Sequence, residues 1–286
     1  MLALLHPVVS LSWAQFSVHP STVIGIAGLA ALYIWRTKHA RGRKHGLERG
    51  AELKTSTAIS FAAGLAVLFF SLNGPLHDLS DDYLFSAHMV QHLLLTLLVP
   101  PLLLAGTPGW MLRPALRNPV VASVARFLTR PFACFTIFNL VIIAWHLPPL
   151  YNLAMANHPI HIVEHLMFLT AAVLMWWPFL SPLPELPRLS YPGQMLYSFL
   201  MSIPMSVVAI AITMADHVLY PAYAAAPRVI AITPLEDQLM GGLIMWIPGG
   251  FIFIIIMTVV FFKWNARGED SIAGAQVDWK TSPAKP

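Results

Sequence analysis

Seven stretches of this chain are long and apolar enough to cross a lipid bilayer, and that constrains its folding before any other feature does. A hydrocarbon core of about 30 Å takes about 20 helical residues, and inside it every backbone N–H and C=O must find a partner within the protein. The stretches are approximately residues 18–35, 56–72, 84–105, 131–147, 160–180, 194–215 and 239–263. The expected fold class is therefore all-α: a polytopic membrane protein with seven transmembrane helices in a domain of residues 18–263. A short N-terminal segment, 1–17, is expected at the interface, because residues 2–16 are interrupted by Pro7 and too short for an eighth span. Residues 264–286 read as a polar cytoplasmic tail. Composition agrees, since charged residues are only 10% of the chain, against roughly 25% in soluble domains. Disordered, fibrous and disulfide-scaffold classes are excluded with the soluble one.

Basic residues orient the helices, because short cytoplasmic loops carry an excess of Lys and Arg. Between the first two spans lies RTKHARGRKHGLERGAELK, and Arg113, Arg117, Arg126 and Arg130 follow the third. Arg188 and the tail complete one side, which holds 16 of the 17 basic residues. The opposite loops carry Arg228 with Asp78, Asp81, Asp82, Asp216, Glu236 and Asp237. The N-terminus is thus expected outside and the C-terminus in the cytoplasm. The basic loop has no aromatic interleaving and reads as a solvated topology signal, not a nucleic-acid surface. Arg36, the first basic residue, follows the first apolar segment, unlike the charged start of a signal peptide.

On this map ten of the twelve histidines fall on the outer side, with only His39 and His45 in the basic loop. The third span begins YLFSAHMVQHLLL, so His88 and His92, four apart, stack on one helical face near its outer end. The fifth begins HPIHIVEHLMF and sets His158, His161 and His165 in one stripe beside Glu164. The fourth span ends at His146, the sixth delivers Met214, Asp216 and His217, and the seventh starts with Asp237 and Met240. His6, His19 and His77 read as interfacial residues. Imidazoles on apolar helical faces cost desolvation unless they are hydrogen-bonded or ligating, and such residues in membranes are functional by default. A structural hydrogen-bond network is the competing reading. Imidazole suits copper, zinc, iron or nickel, and thioether shifts the preference toward Cu(I).

His88, His92, His146, His161 and His165 are accordingly the candidate metal ligands. Glu164 is a candidate for orienting a ligand ring, with Met214, Asp216, His217, Asp237 and Met240 as auxiliaries. The lone Cys134 rules out a thiolate cluster and an intramolecular disulfide. No nucleotide loop, HExxH or GxSxG motif is present. Trp176, Trp177 and Trp246 read as an interfacial belt, and Met201 and Met205 equally as packing or as ligands.

The strings QHLLLTLLVPPLLLAGTP, WHLPPLYNLAM, HIVEHLMFLTAAVLMWWPF, LYPAY and EDQLMGGLIMW together resemble the caa3-type cytochrome c oxidase assembly factors, the Bacillus-type integral-membrane CtaG family. The resemblance extends over residues 56–262. It implies a non-enzymatic factor of the bacterial cell membrane that matures a haem–copper oxidase, with copper as the ion handled. It also implies the oxidase membrane subunits as partners, subunit I first, and an extracytoplasmic copper donor. The family's polar positions correspond to His88, His92, His146 with Pro148, His161, Glu164, His165, the 220–223 loop, and Asp237 with Gln238. The residues alone leave three alternatives: a haem-bearing electron-transfer protein with axial histidines from two helices, a transporter, and a metal-independent structural partner. The inner halves of the spans offer no polar route across, and no internal repeat supports transport.

Overall fold

The computed structural model describes residues 16–42 and 53–281, and the elements among them are all helical. In chain order they are α1 (Pro20–Gly42), α2 (Thr55–Ser71), α3 (Pro75–Asp82), α4 (Phe85–Leu93), α5 (Val99–Ala105), α6 (Gly109–Leu112), α7 (Pro119–Leu128), α8 (Pro131–His146), α9 (Pro148–Ala156), α10 (His158–Leu180), α11 (Tyr191–Thr213), α12 (Pro221–Ala225) and α13 (Pro234–Thr281). A π-helical turn, Leu94–Leu98, joins α4 to α5, and a 3₁₀ turn, Arg113–Arg117, follows α6. His6, His45 and most of the expected interfacial segment 1–17 lie outside the described residues.

Proline places most of these starts. It occupies the first position of α1, α3, α7, α8, α9, α12 and α13 and the second of α10 and α11. There its missing N–H is one the helix could not have bonded, and its fixed φ already suits the first turn. Among the described residues, four helical stretches are long and apolar enough to span a bilayer: Phe85–Ala105, His158–Leu180, Tyr191–Thr213 and Pro234–Arg267. Two bent pairs, Thr55–Ser71 with Pro75–Asp82 and Pro119–Leu128 with Pro131–His146, bring the number to six when each pair is one span. The chain is thus an all-α, multi-pass membrane protein.

The helices meet through small residues, the usual way in a lipid solvent that supplies no hydrophobic drive between apolar surfaces. α13 reaches both α4 and α11 this way. A methyl group at Gly241 would lie 2.3 Å from the Phe85 ring, and one at Gly242 would lie 2.3 Å from Thr213 Oγ1. The core between α8, α10 and α11 is filled by Phe138, Phe168, Ala172, Met175 and Met201, all fully buried.

The π turn has a local cause. Pro100 has no N–H to give the Thr96 carbonyl four residues back. That carbonyl accepts instead from the Trp176 indole of α10, at 2.9 Å. Trp176 and Trp177, expected at the membrane interface, are both buried, and Trp177 donates to the Leu186 carbonyl at 3.1 Å. The interfacial reading fails for them because their N–H groups are used to satisfy backbone that the prolines and loops leave open.

Candidate metal centre

The N-terminal end of α4 is held by a residue from the far end of the sequence. The first N–H groups of a helix have no partner within it. Here Asp237 of α13 accepts from the Phe85 and Ser86 amides at 2.7 and 3.1 Å, and from the Ser86 hydroxyl. A carboxylate is favoured there by the helix dipole. It fixes how α4 is rotated, and the helical spacing then turns both His88 and His92 inward. On α10 the same spacing turns His161, Glu164 and His165 inward, and α8 contributes His146, its last residue. These six side chains are between 0% and 9% exposed.

They converge. Donor atoms of His88, His92 and His165 lie within 4.8 Å of one another, and those of Asp81, His88 and His161 form a second such group. The two groups share His88. Within the first, His88 Nε2 and His92 Nε2 are 2.8 Å apart, close to the spacing of about 2.8–3.3 Å between neighbouring nitrogens at about 2.0 Å from one ion. The His92 ring stands 5.6 Å from those of both His146 and His165. Glu164 Oε1 is 3.9 Å from His92 Nε2.

Hydrogen bonds around the cluster assign the ring nitrogens. His146 Nδ1 donates to the Ile142 carbonyl at 2.7 Å, which leaves the lone pair on Nε2. Tyr223 donates to the Ser80 carbonyl at 2.7 Å and receives from His88 Nδ1 and the Tyr151 hydroxyl, each at 2.9 Å. That pattern puts hydrogen on His88 Nδ1 and aims the Nε2 lone pair at His92. Burial pushes the Tyr223 phenol well above its ordinary pKa, so it remains a donor. Tyr151, Tyr220 and Tyr223 together roof one end of the cluster, each no more than 2% exposed. The Tyr220 hydroxyl bonds the His146 carbonyl at 2.9 Å.

These groups could hold a cation. His92 Nδ1, His146 Nε2, His161 Nε2, His165 Nε2 and both Glu164 oxygens are buried without a hydrogen-bond partner. Orphaned polar atoms are rare in native interiors and need a reason, and here they are grouped and all able to donate a lone pair.

His77, expected at the interface, is instead 5% exposed, bonded to Gln91 at 3.0 Å and 3.4 Å from Asp81. The bend after α2, at Gly74 with φ +72°, folds α3 back over the cluster and carries His77 inward. Gln91 is the other residue that sequence reasoning missed. It ties α4 to the Ser71 carbonyl at 2.7 Å, and its signal is its place between the two histidines on α4. His158 is exposed, and half-buried His19 packs its ring 4.3 Å from that of His77. Among the auxiliaries, Met214, Asp216, His217 and Met240 are exposed and belong to neither donor group. Asp216 is bonded to His217 at 2.7 Å, which holds its carboxyl below the usual range. Asp237 caps α4, so its oxygens are already used.

The family described as cytochrome c oxidase caa3 assembly factor matches residues 31–267. An uncharacterised protein of Mycobacterium bovis and one of Mycobacterium tuberculosis are each 24% identical to this chain over 271 residues, covering 89% of it and 40% of each relative. The chain therefore spans less than half the length of these relatives. No solved structure matches.

Proposed function

This chain belongs to the cytochrome c oxidase caa3 assembly factor family, and on that footing we propose that it holds copper among the histidines of α4 and α10 for insertion into the oxidase. It acts as an assembly factor and not as an enzyme. The observation that carries the reading is the group His88, His92 and His165, with donor atoms within 4.8 Å of one another and orphaned lone pairs around them. Imidazole nitrogens suit copper.

Charge favours the monovalent ion. Uncompensated charge in a membrane interior is costly, so Glu164 ionises only with a cation beside it, and then supplies one negative charge beside the three neutral rings. A single Cu(I) balances it. The haem alternative needs the breadth of a porphyrin between two axial rings. The space between α4 and α10 is filled by the imidazoles themselves and by Phe168, whose ring is 4.5 Å from that of His92.

On a seven-span arrangement with N-terminus outside and C-terminus in the cytoplasm, this cluster lies near the outer membrane face. The basic-residue asymmetry supports that orientation. From there the ion passes laterally to a membrane subunit of the oxidase, subunit I first, after arriving from an extracytoplasmic donor. The test is elemental analysis and a reduced optical spectrum of one detergent-purified sample, beside His88→Ala/His92→Ala. One copper per chain, no Soret band and loss of copper in the variant are expected. A Soret band moves the assignment to haem. No metal after Cu(I) loading leaves a structural partner of the oxidase.

A further inference from the structure

A cleft of about 310 Å³ opens on the side of the molecule between α1, α2 and α10. Its imidazoles, those of His19, His77, His158, His161 and His165, come from the outer ends of their segments, and the remainder of the wall is mostly aliphatic, including Leu68, Leu95 and Leu169. Three tyrosines roof the buried cluster, and this cleft reaches it from the side at His161 and His165.

The side chains along the cleft are spaced for hand-over. His19 stacks edge-on to His77 at 4.3 Å between ring centroids, and the His158 ring is 5.8 Å from that of His19. Asp81 joins the next two rings, with one oxygen 3.4 Å from His77 Nδ1 and the other 3.4 Å from His161 Nδ1. His161 Nε2 is buried without a partner. Its ring lies 5.4 Å from that of His88 and 4.2 Å from that of His165. Because His88 belongs to both donor groups, an ion moving from the shallow group to the deep one keeps one ligand throughout. No step then requires a bare cation in a low-dielectric interior, which is the costly event.

Resting on the reading of the buried cluster as a metal site, we infer that this cleft is the ion's entrance. His19, His77 and His158, with Asp81, form a shallow receiving station that passes a soft monovalent cation to the deep group through His88. The aliphatic inner wall ends the path at the depth of His165, so the chain receives the ion from the side on which it releases it.

The experiment is stopped-flow loading of the purified full chain with Cu(I) from a chromophoric chelator, with capacity and affinity measured on the same samples. Two variants leave the deep group intact: His19→Ala/His158→Ala, which removes the two least buried rings, and Gly25→Phe. Gly25 lines the cleft and a Cβ there meets no atom within 4 Å, so the position is open to a larger side chain that narrows the opening. In both, loading and release are expected to slow together by on the order of tenfold, the size of effect seen when supporting groups of a metal site are removed. Capacity and affinity stay at the wild-type value. Wild-type rates in both variants overturn the entrance. Loss of capacity in His19→Ala/His158→Ala also overturns it, because those rings are then ligands of the stored ion. A wild-type chain that takes no Cu(I) overturns the metal reading itself, and the relay with it.

Discussion

At the residue scale, the functional question is which nitrogen of each imidazole carries its lone pair inward. A ligating ring is usually aimed by the acceptor bonded to its other nitrogen, and His88 has that support from Tyr223 at 2.9 Å. Tyr223→Phe removes it and leaves the Ser80 carbonyl, 3.4 Å away, as the ring's remaining partner. Copper affinity by chelator competition is expected to fall about tenfold. Glu164 has no hydrogen-bond partner, so its contribution to the site is charge. Glu164→Gln keeps the shape, and is expected to lower Cu(I) affinity about 10–100-fold with the melting temperature unchanged. Unaltered affinity in that variant would remove the charge-balance argument for a monovalent ion.

At the element scale, α4 is positioned by contacts that lie far from the histidines. Asp237→Ala strips three bonds from its start, and the loss of charged, buried hydrogen bonds is expected to cost roughly 2–3 kcal/mol. The checks are a lowered melting temperature and weakened copper binding, since the first turn of α4 then frays beneath His88. Pro100→Ala acts in the opposite sense on stability. It returns an N–H to the Thr96 carbonyl, competes with the Trp176 indole and allows the π turn to tighten. The expected result is a melting temperature at or above wild type with reduced copper affinity, because His92 immediately precedes that turn. Reduced stability with copper binding intact would show that the π turn serves packing alone.

At the scale of the whole molecule, what matters is which side of the membrane the cluster faces. Asp216 is exposed in the connection between α11 and α12, and Arg126 lies in α7 on the side opposite it in the proposed topology. Asp216→Cys is expected to react with a membrane-impermeant maleimide added to intact cells, and Arg126→Cys only after permeabilisation. Native Cys134 is fully buried and leaves a low background. The reverse pattern would place the histidines at the cytoplasmic face and redirect delivery of the ion to that side.

Periodicity and local chemistry determined a large part of this protein. Apolar length decided that it is helical and membrane-borne, proline positions decided where most helices begin, and i, i+4 spacing put His88 beside His92 and His161 beside His165. Those are properties of one helix at a time, and one helix can be read from its own residues. The depth of His77, the cap that Asp237 gives α4, the indole that Trp176 offers to Thr96 and the surface position of Met214 and Met240 depend on how helices distant in sequence are rotated against each other. In a bilayer, lipid and protein are about equally apolar, so hydrophobicity does not say which face of a helix turns inward. Close approach at Gly241 and Gly242 and the need to satisfy buried polar groups make that choice, and both exist only once the helices are packed.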